Sequence, residues 1–288
     1  MKDILCYSID AESKEGSVIA SRFGVTGYPT LLFLESNGEV RDLIGGFLPA
    51  EPFSAEIQRI KRNEFTLSGL KLQLQANPLD LDVRWAYAQK LESIGDDKGY
   101  EREIASIKKN DPEGTSIGSR SLRFQEIKKQ CLKALALQDV YDFLKVETNT
   151  DLLLDGWYFL FKVESYLADN AEDDEAQTKH RELQISAARA LWSQVPGHLL
   201  LHVAEEIITI FLNAPQHLTR AHKGLLLEVG KTAAGKAPSD PSVLAMYGEC
   251  LFTLNRQQEA ILQLKRCVEI DPKNTRWRHV LARYAKGG

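Results

Sequence analysis

Two rhythms of apolar residues share the first sixty positions. Glu15, Ile19 and Phe23 fall at four-residue spacing with Val18 beside them, which predicts an amphipathic helix closing on Phe23 and Gly24, where a left-handed cap residue belongs. Leu31, Leu32, Phe33 and Leu34 form a run too short for a helix and, with Thr30, predict a strand buried on both faces. Asn37-Gly38 is a hairpin turn into a second strand, Glu39 to Ile44, and Gly45-Gly46 leads to a helix over about Ala50 to Lys61. From Asn63 onward the period becomes helical. Helices are expected at Thr66 to Gln75, Leu81 to Ile94, Gly99 to Lys109, Ser121 to Leu135, Leu137 to Lys145, Leu152 to Asp169, Glu175 to Ser193, Leu199 to Leu212 and Leu218 to Ala234, with Pro and Gly pairs between several of them.

The order helix, GVTGYPT, buried strand, NG turn, strand, glycine pair and helix resembles the C-terminal half of a thioredoxin fold. That resemblance implies a cis bond before Pro29. It also implies that the Tyr28 backbone pairs with an extended segment by strand addition, so that Tyr28 and Pro29 form a substrate or peptide-binding element. It makes Ile4 to Ile9 the fold's third strand, with Cys6 on it as a small buried residue. The family's CxxC, whose thiolate attacks disulfides, is missing from the chain, and the elements that carry it would precede Asp3. With its central strand missing, the segment is expected to expose strand edges and the apolar faces of Leu31 to Leu34, which points to a homodimer through this remnant or to local mobility there.

Pro78 and Pro112 lie 34 residues apart and bracket two helices split by Gly95-Asp96-Asp97, and Pro238 and Pro272 repeat the spacing. At an offset of 160, Tyr87 matches Tyr247, Ala88 matches Gly248, Leu91 matches Leu251, Ile104 matches Leu264, Ile107 matches Cys267, and Asp111-Pro112 matches Asp271-Pro272. This register resembles the tetratricopeptide repeat, with small Gly248 and Ala260 at the close helix crossing. Tyr100 departs from that pattern, standing where alanine is usual. A last helix, 275–285, resembles the cap of a stacked array, with Trp277 on its inner face.

Composition narrows the function. With 43% hydrophobic and 26% charged residues and a net charge of -4, the 288-residue chain can build real cores but has no basic stripe for a nucleic-acid backbone. No apolar run approaches the roughly 20 residues of a membrane helix. The start lacks a secretory h-region, so the chain reads as cytoplasmic as written, and as periplasmic or exported if an N-terminal segment precedes it. Cys6, Cys131, Cys250 and Cys267 lack metal spacing, and Cys250 and Cys267 read as packing residues. His198 and His202 share a helical spacing, but HLLLH lacks the glutamate of a zinc-protease helix; all six histidines read as surface or capping residues. The acidic run Glu172 to Glu175 reads as a solvated helix start, and the aromatic cluster Trp157, Tyr158, Phe159 and Phe161 as core.

The expectation is an α/β plus all-α protein: a partial thioredoxin-like segment, 1–62, followed by a tetratricopeptide-like helical domain, 63–288, with its clearest repeats at 78–112 and 238–272. No catalytic residue, metal site or cofactor is assigned. The resemblance implies a redox-inactive, co-chaperone-like module for a protein or peptide client. The alternative is the C-terminal portion of a thiol-disulfide oxidoreductase whose CxxC lies upstream of Met1.

Overall fold

The computed structural model describes residues 5–285. The Ser13 hydroxyl accepts from the Gly16 N–H at 3.0 Å and starts α1 (Lys14–Arg22), which ends at Phe23 with Gly24 at φ +62. Two strands follow, β1 (Thr30–Leu34) and β2 (Val40–Gly45), antiparallel with Leu31 opposite Ile44 and Phe33 opposite Asp42. The chain reverses between them at Glu35 to Gly38, where the Gly38 N–H donates to the Glu35 carbonyl at 2.9 Å.

Helices from the following chain pack on this hairpin. From α2 (Ala50–Lys61), Ile57 and Ile60 pack on Leu31, Phe33 and Ile44. The expected burial of β1 on both faces is corrected: none of its residues is fully buried, and Leu34 is exposed, because a two-stranded sheet is too narrow to shield a strand from solvent. The third strand is corrected as well. Leu5 to Ile9 forms no strand although its apolar residues alternate, and Leu5 and Tyr7 are almost fully solvated; Ile4 lies outside the described residues. Alternation favours a strand only where a half-buried surface exists to receive one face, and here Leu5, Tyr7 and Ile9 are all exposed.

The remaining elements are helices. The chain divides into two compact units, Met1–Gln130 and Cys131–Gly288. The first adds α3 (Leu67–Ala76), α4 (Leu81–Ser93) and α5 (Asp97–Asn110) to the hairpin, and α6 (Ile117–Ala134) carries the chain across the division. The second holds α7 (Gln138–Val146), α8 (Thr150–Asp169), α9 (Asp174–Gln194), α10 (Leu200–Asn213), a 3-10 turn at Pro215–His217, α11 (Arg220–Lys236), α12 (Pro241–Thr253), α13 (Gln257–Ile270) and α14 (Thr275–Ala285). Within the first unit, β2 is tied to α4 through Asp42 and Lys90.

The 160-residue offset holds in three dimensions: adding it to the bounds of α4 and α5 gives those of α12 and α13. Both first helices start at an aspartate, Asp80 accepting from the Val83 N–H and Asp240 from the Ser242 and Val243 N–H groups. Both turns close alike, the Asp96 N–H reaching Leu91 O at 2.9 Å and the Arg256 N–H reaching Leu251 O at 2.8 Å. The cores match position for position, with Ala88, Leu91, Ile104 and Ile107 buried in one hairpin and Gly248, Leu251, Leu264 and Cys267 in the other. Trp277 of α14 is buried against the second hairpin, as its place on the inner face requires. Where alanine is usual, Tyr100 lies half-buried beside Trp85, Ala88, Ile104 and Ile107.

Candidate interaction surface

Several local features position the Tyr28–Pro29 segment. Gly24 not only turns left-handed but runs so close to the α4–α5 turn that a Cβ on it would fall 2.3 Å from the Ile94 carbonyl oxygen. The backbone leaving α1 is thus held against Ile94-Gly95. Thr30 Oγ1 donates to the Gly27 carbonyl at 2.7 Å and folds the intervening residues into a tight loop. The Tyr28–Pro29 bond is cis, and the Pro29 carbonyl accepts from the Gly46 N–H at 2.8 Å, extending the hairpin one residue beyond β1.

Two consequences follow for the surface. Among the described residues β1 pairs with β2 alone, so its other edge carries backbone donors and acceptors without a strand beside them. The Tyr28 backbone has no hydrogen-bond partner there either, and its ring is 63% exposed. Val18 of α1, Leu34 and Phe47 are exposed as well, so the polar edge belongs to a segment rich in solvated apolar side chains.

Beneath β2 lies a charge cluster that the sequence reading missed. Asp42, 1% exposed, accepts from Arg59 Nη2 at 2.7 Å and from Lys90 Nζ at 2.6 Å. Burial opposes the charge on Arg59, yet its hydrogen bonds to Glu56 and Asp42 outweigh that and raise its pKa. The signal for this cluster was available, because Asp42 stands two residues from Ile44 on the face that the alternation of β2 turns inward. Its partners, 17 and 48 residues away, were not.

Other expected residues divide. Cys250 and Cys267 are fully buried, as packing residues should be. Burial pushes the Cys250 and Cys131 thiols up and raises Cys267 to about 11. Cys6 is exposed rather than buried, a correction that follows from the missing strand. His198 and His202 are exposed. His222 is corrected to a core residue: it is 1% exposed, with Nε2 3.3 Å from Gln184 Oε1 and Nδ1 2.7 Å from Thr219 Oγ1, and burial, then Arg181 and Arg189, lower its pKa to about 4. His180 pairs through Nδ1 with buried Glu164 at 2.6 Å. Of the aromatic cluster expected in the core, Phe161 is buried edge-on to Phe211 while Trp157, Tyr158 and Phe159 are half-buried, and Asp173 caps α9 as a helix start. Among the described residues no three His, Cys, Asp or Glu side chains come together to hold a metal ion, and no helix is long and apolar enough to cross a membrane.

No protein-family model matches the chain, and no curated protein matches it. Among solved structures it is similar to TTC0263, a thermophilic TPR protein in Thermus thermophilus, at 14% identity and a TM-score of 0.35 over 82% of this chain and 97% of that one. It is similar also to the MamA RS-1 ArsTM double mutant, at 17% identity and a TM-score of 0.35 over 59% of this chain and 85% of that one. Likeness of this degree adds nothing to the site. The helical repeat stands on the matched bounds, caps and cores of α4–α5 and α12–α13 within the chain itself.

Proposed function

We propose that the chain is a protein-interaction module in which helical hairpins of tetratricopeptide type carry a thioredoxin-like remnant. An extended segment of an unfolded client adds as a strand to the free edge of β1, starting at Tyr28 and Pro29. The open edge carries this reading: β1 pairs with β2 alone among the described residues, and the Tyr28 ring is exposed to solvent. Helix α1, the hairpin and α2 follow one another in the order of the thioredoxin likeness, and the binding role is co-chaperone-like holding. A second copy of the chain is the competing occupant of the same edge.

Binding is favoured over disulfide exchange by the state of the thiols. Exchange needs an attacking thiolate and a second thiol to resolve the mixed disulfide. Cys131, Cys250 and Cys267 are buried with raised pKa values, which leaves Cys6 as the exposed cysteine among the described residues.

The test is binding of a reduced, carboxymethylated, permanently unfolded protein, followed by light scattering and by fluorescence anisotropy. Tyr28→Ala should weaken binding about ten-fold, the scale of a lost aromatic anchor. A photo-crosslinking side chain at position 28 should mark the client. Unchanged affinity in Tyr28→Ala, or crosslinks that join only two copies of the chain, would overturn the client reading.

A further inference from the structure

Within the second unit, α7, α8 and α9 enclose a groove of about 480 Å3, inside the range of small-molecule sites. Leu135, Leu137, Leu167 and Leu183 give it apolar walls. Glu164 of α8 lies at its floor, 1% exposed, and accepts from the Tyr141 hydroxyl at 2.8 Å while His180 Nδ1 sits 2.6 Å from its other oxygen. A buried carboxylate requires such partners, and these two engage both of its oxygens.

The same geometry fixes the imidazole. A carboxylate can only accept, so Nδ1 of His180 bears the proton and Nε2 is the ring's remaining polar atom. Nε2 has no partner among the described residues, and His180 lines the groove. Lys179 and Lys145 line it too. The Lys145 ammonium is held by Asp142 at 2.6 Å, whereas Lys179 joins no ion pair among the described residues.

We propose that this groove binds a carboxylate carried on an apolar body, the carboxylate meeting His180 Nε2 and Lys179 and the body lying on the leucines. A ligand oxygen at Nε2 gives the ring a hydrogen-bond partner at each nitrogen. A cationic ligand would find Glu164 already engaged and two lysines facing it. A purely polar anion would leave the four leucines uncovered. The inference is independent of the β1 edge, which lies in the other unit.

The experiment titrates the full-length 15N,13C-labelled protein with octanoate, octanol and inorganic phosphate. Octanoate should shift the His180 ring nitrogens and the methyls of Leu167 and Leu183 in one saturable process, with octanol and phosphate each at least about ten-fold weaker. His180→Asn keeps a donor toward Glu164 while removing Nε2, and Lys179→Gln removes only an exposed charge; each should weaken octanoate about ten-fold. The proposal is overturned by octanoate that leaves the groove unperturbed, by equal affinity in the folded variants, or by octanol or phosphate binding as tightly as octanoate. Lys179→Gln decides alone if His180→Asn does not fold.

Discussion

Lys90 Nζ lies 2.6 Å from Asp42 Oδ1, and this bond joins the hairpin to the first helical repeat across 48 residues of chain. Arg59 holds the other oxygen, so a fully buried carboxylate is shared by two cations that each keep some contact with water. Asp42→Asn should destabilise the first unit by about 2–3 kcal/mol, below the full cost of splitting a buried pair because both cations can rehydrate. Lys90→Met, which leaves Arg59 in place, should cost about 1 kcal/mol. Urea denaturation of both variants checks the ordering, and equal losses would contradict it.

Gly24 combines a left-handed backbone with a contact that admits no Cβ, whereas Gly38 at φ +83 has open space around it. Gly38→Ala should therefore cost only the conformational term, about 1 kcal/mol. Gly24→Ala adds a clash with the Ile94 carbonyl and should cost about 3 kcal/mol. Thermal melts of the two variants measure the difference.

Gly248 gives the opposite sign. Its place at the helix crossing suggests that nothing larger fits, yet a Cβ there would meet the Ala260 carbonyl and Leu264 at 3.6 Å, ordinary contact distance. Since α12 gains from alanine over glycine, Gly248→Ala should stabilise the second unit by about 0.5–1 kcal/mol. A lowered melting temperature would show that the crossing is tighter than its geometry.

His222 is buried and neutral, with its folded pKa lowered from 6.5 to about 4. Between those values the unfolded chain binds a proton that the folded chain refuses. The stability it contributes is complete above about pH 6.5 and falls as pH drops toward 4, by roughly 3 kcal/mol at most. His222→Gln should flatten the pH dependence of the urea midpoint over that interval, while a curve as steep as the parent's would exclude His222 as its source.

Most of the fold was legible in the chain because periodicity reports which face of an element is apolar. Ala50 to Lys61 and 275–285 come out of the sequence with the bounds that the structure shows, and the offset matching Ile107 to Cys267 needed only proline spacing. The failures share one cause. Leu5 to Ile9 has the alternation of a strand, but whether a strand forms depends on a neighbour, and periodicity does not say that none is present. Buried polar clusters were equally hidden. Glu164, His180 and Tyr141 each look like solvated helix residues in one dimension, and only the packing of three helices brings them together. The exposed strand edge that the sequence led us to expect is found on β1, which pairs with β2 alone among the described residues.

The contact between Gly24 and Ile94 also changes what a bound strand could do. A segment adding to β1 at Tyr28 would engage a loop whose other end rests on the α4–α5 turn. The helical repeat thus braces the backbone that an added strand would meet.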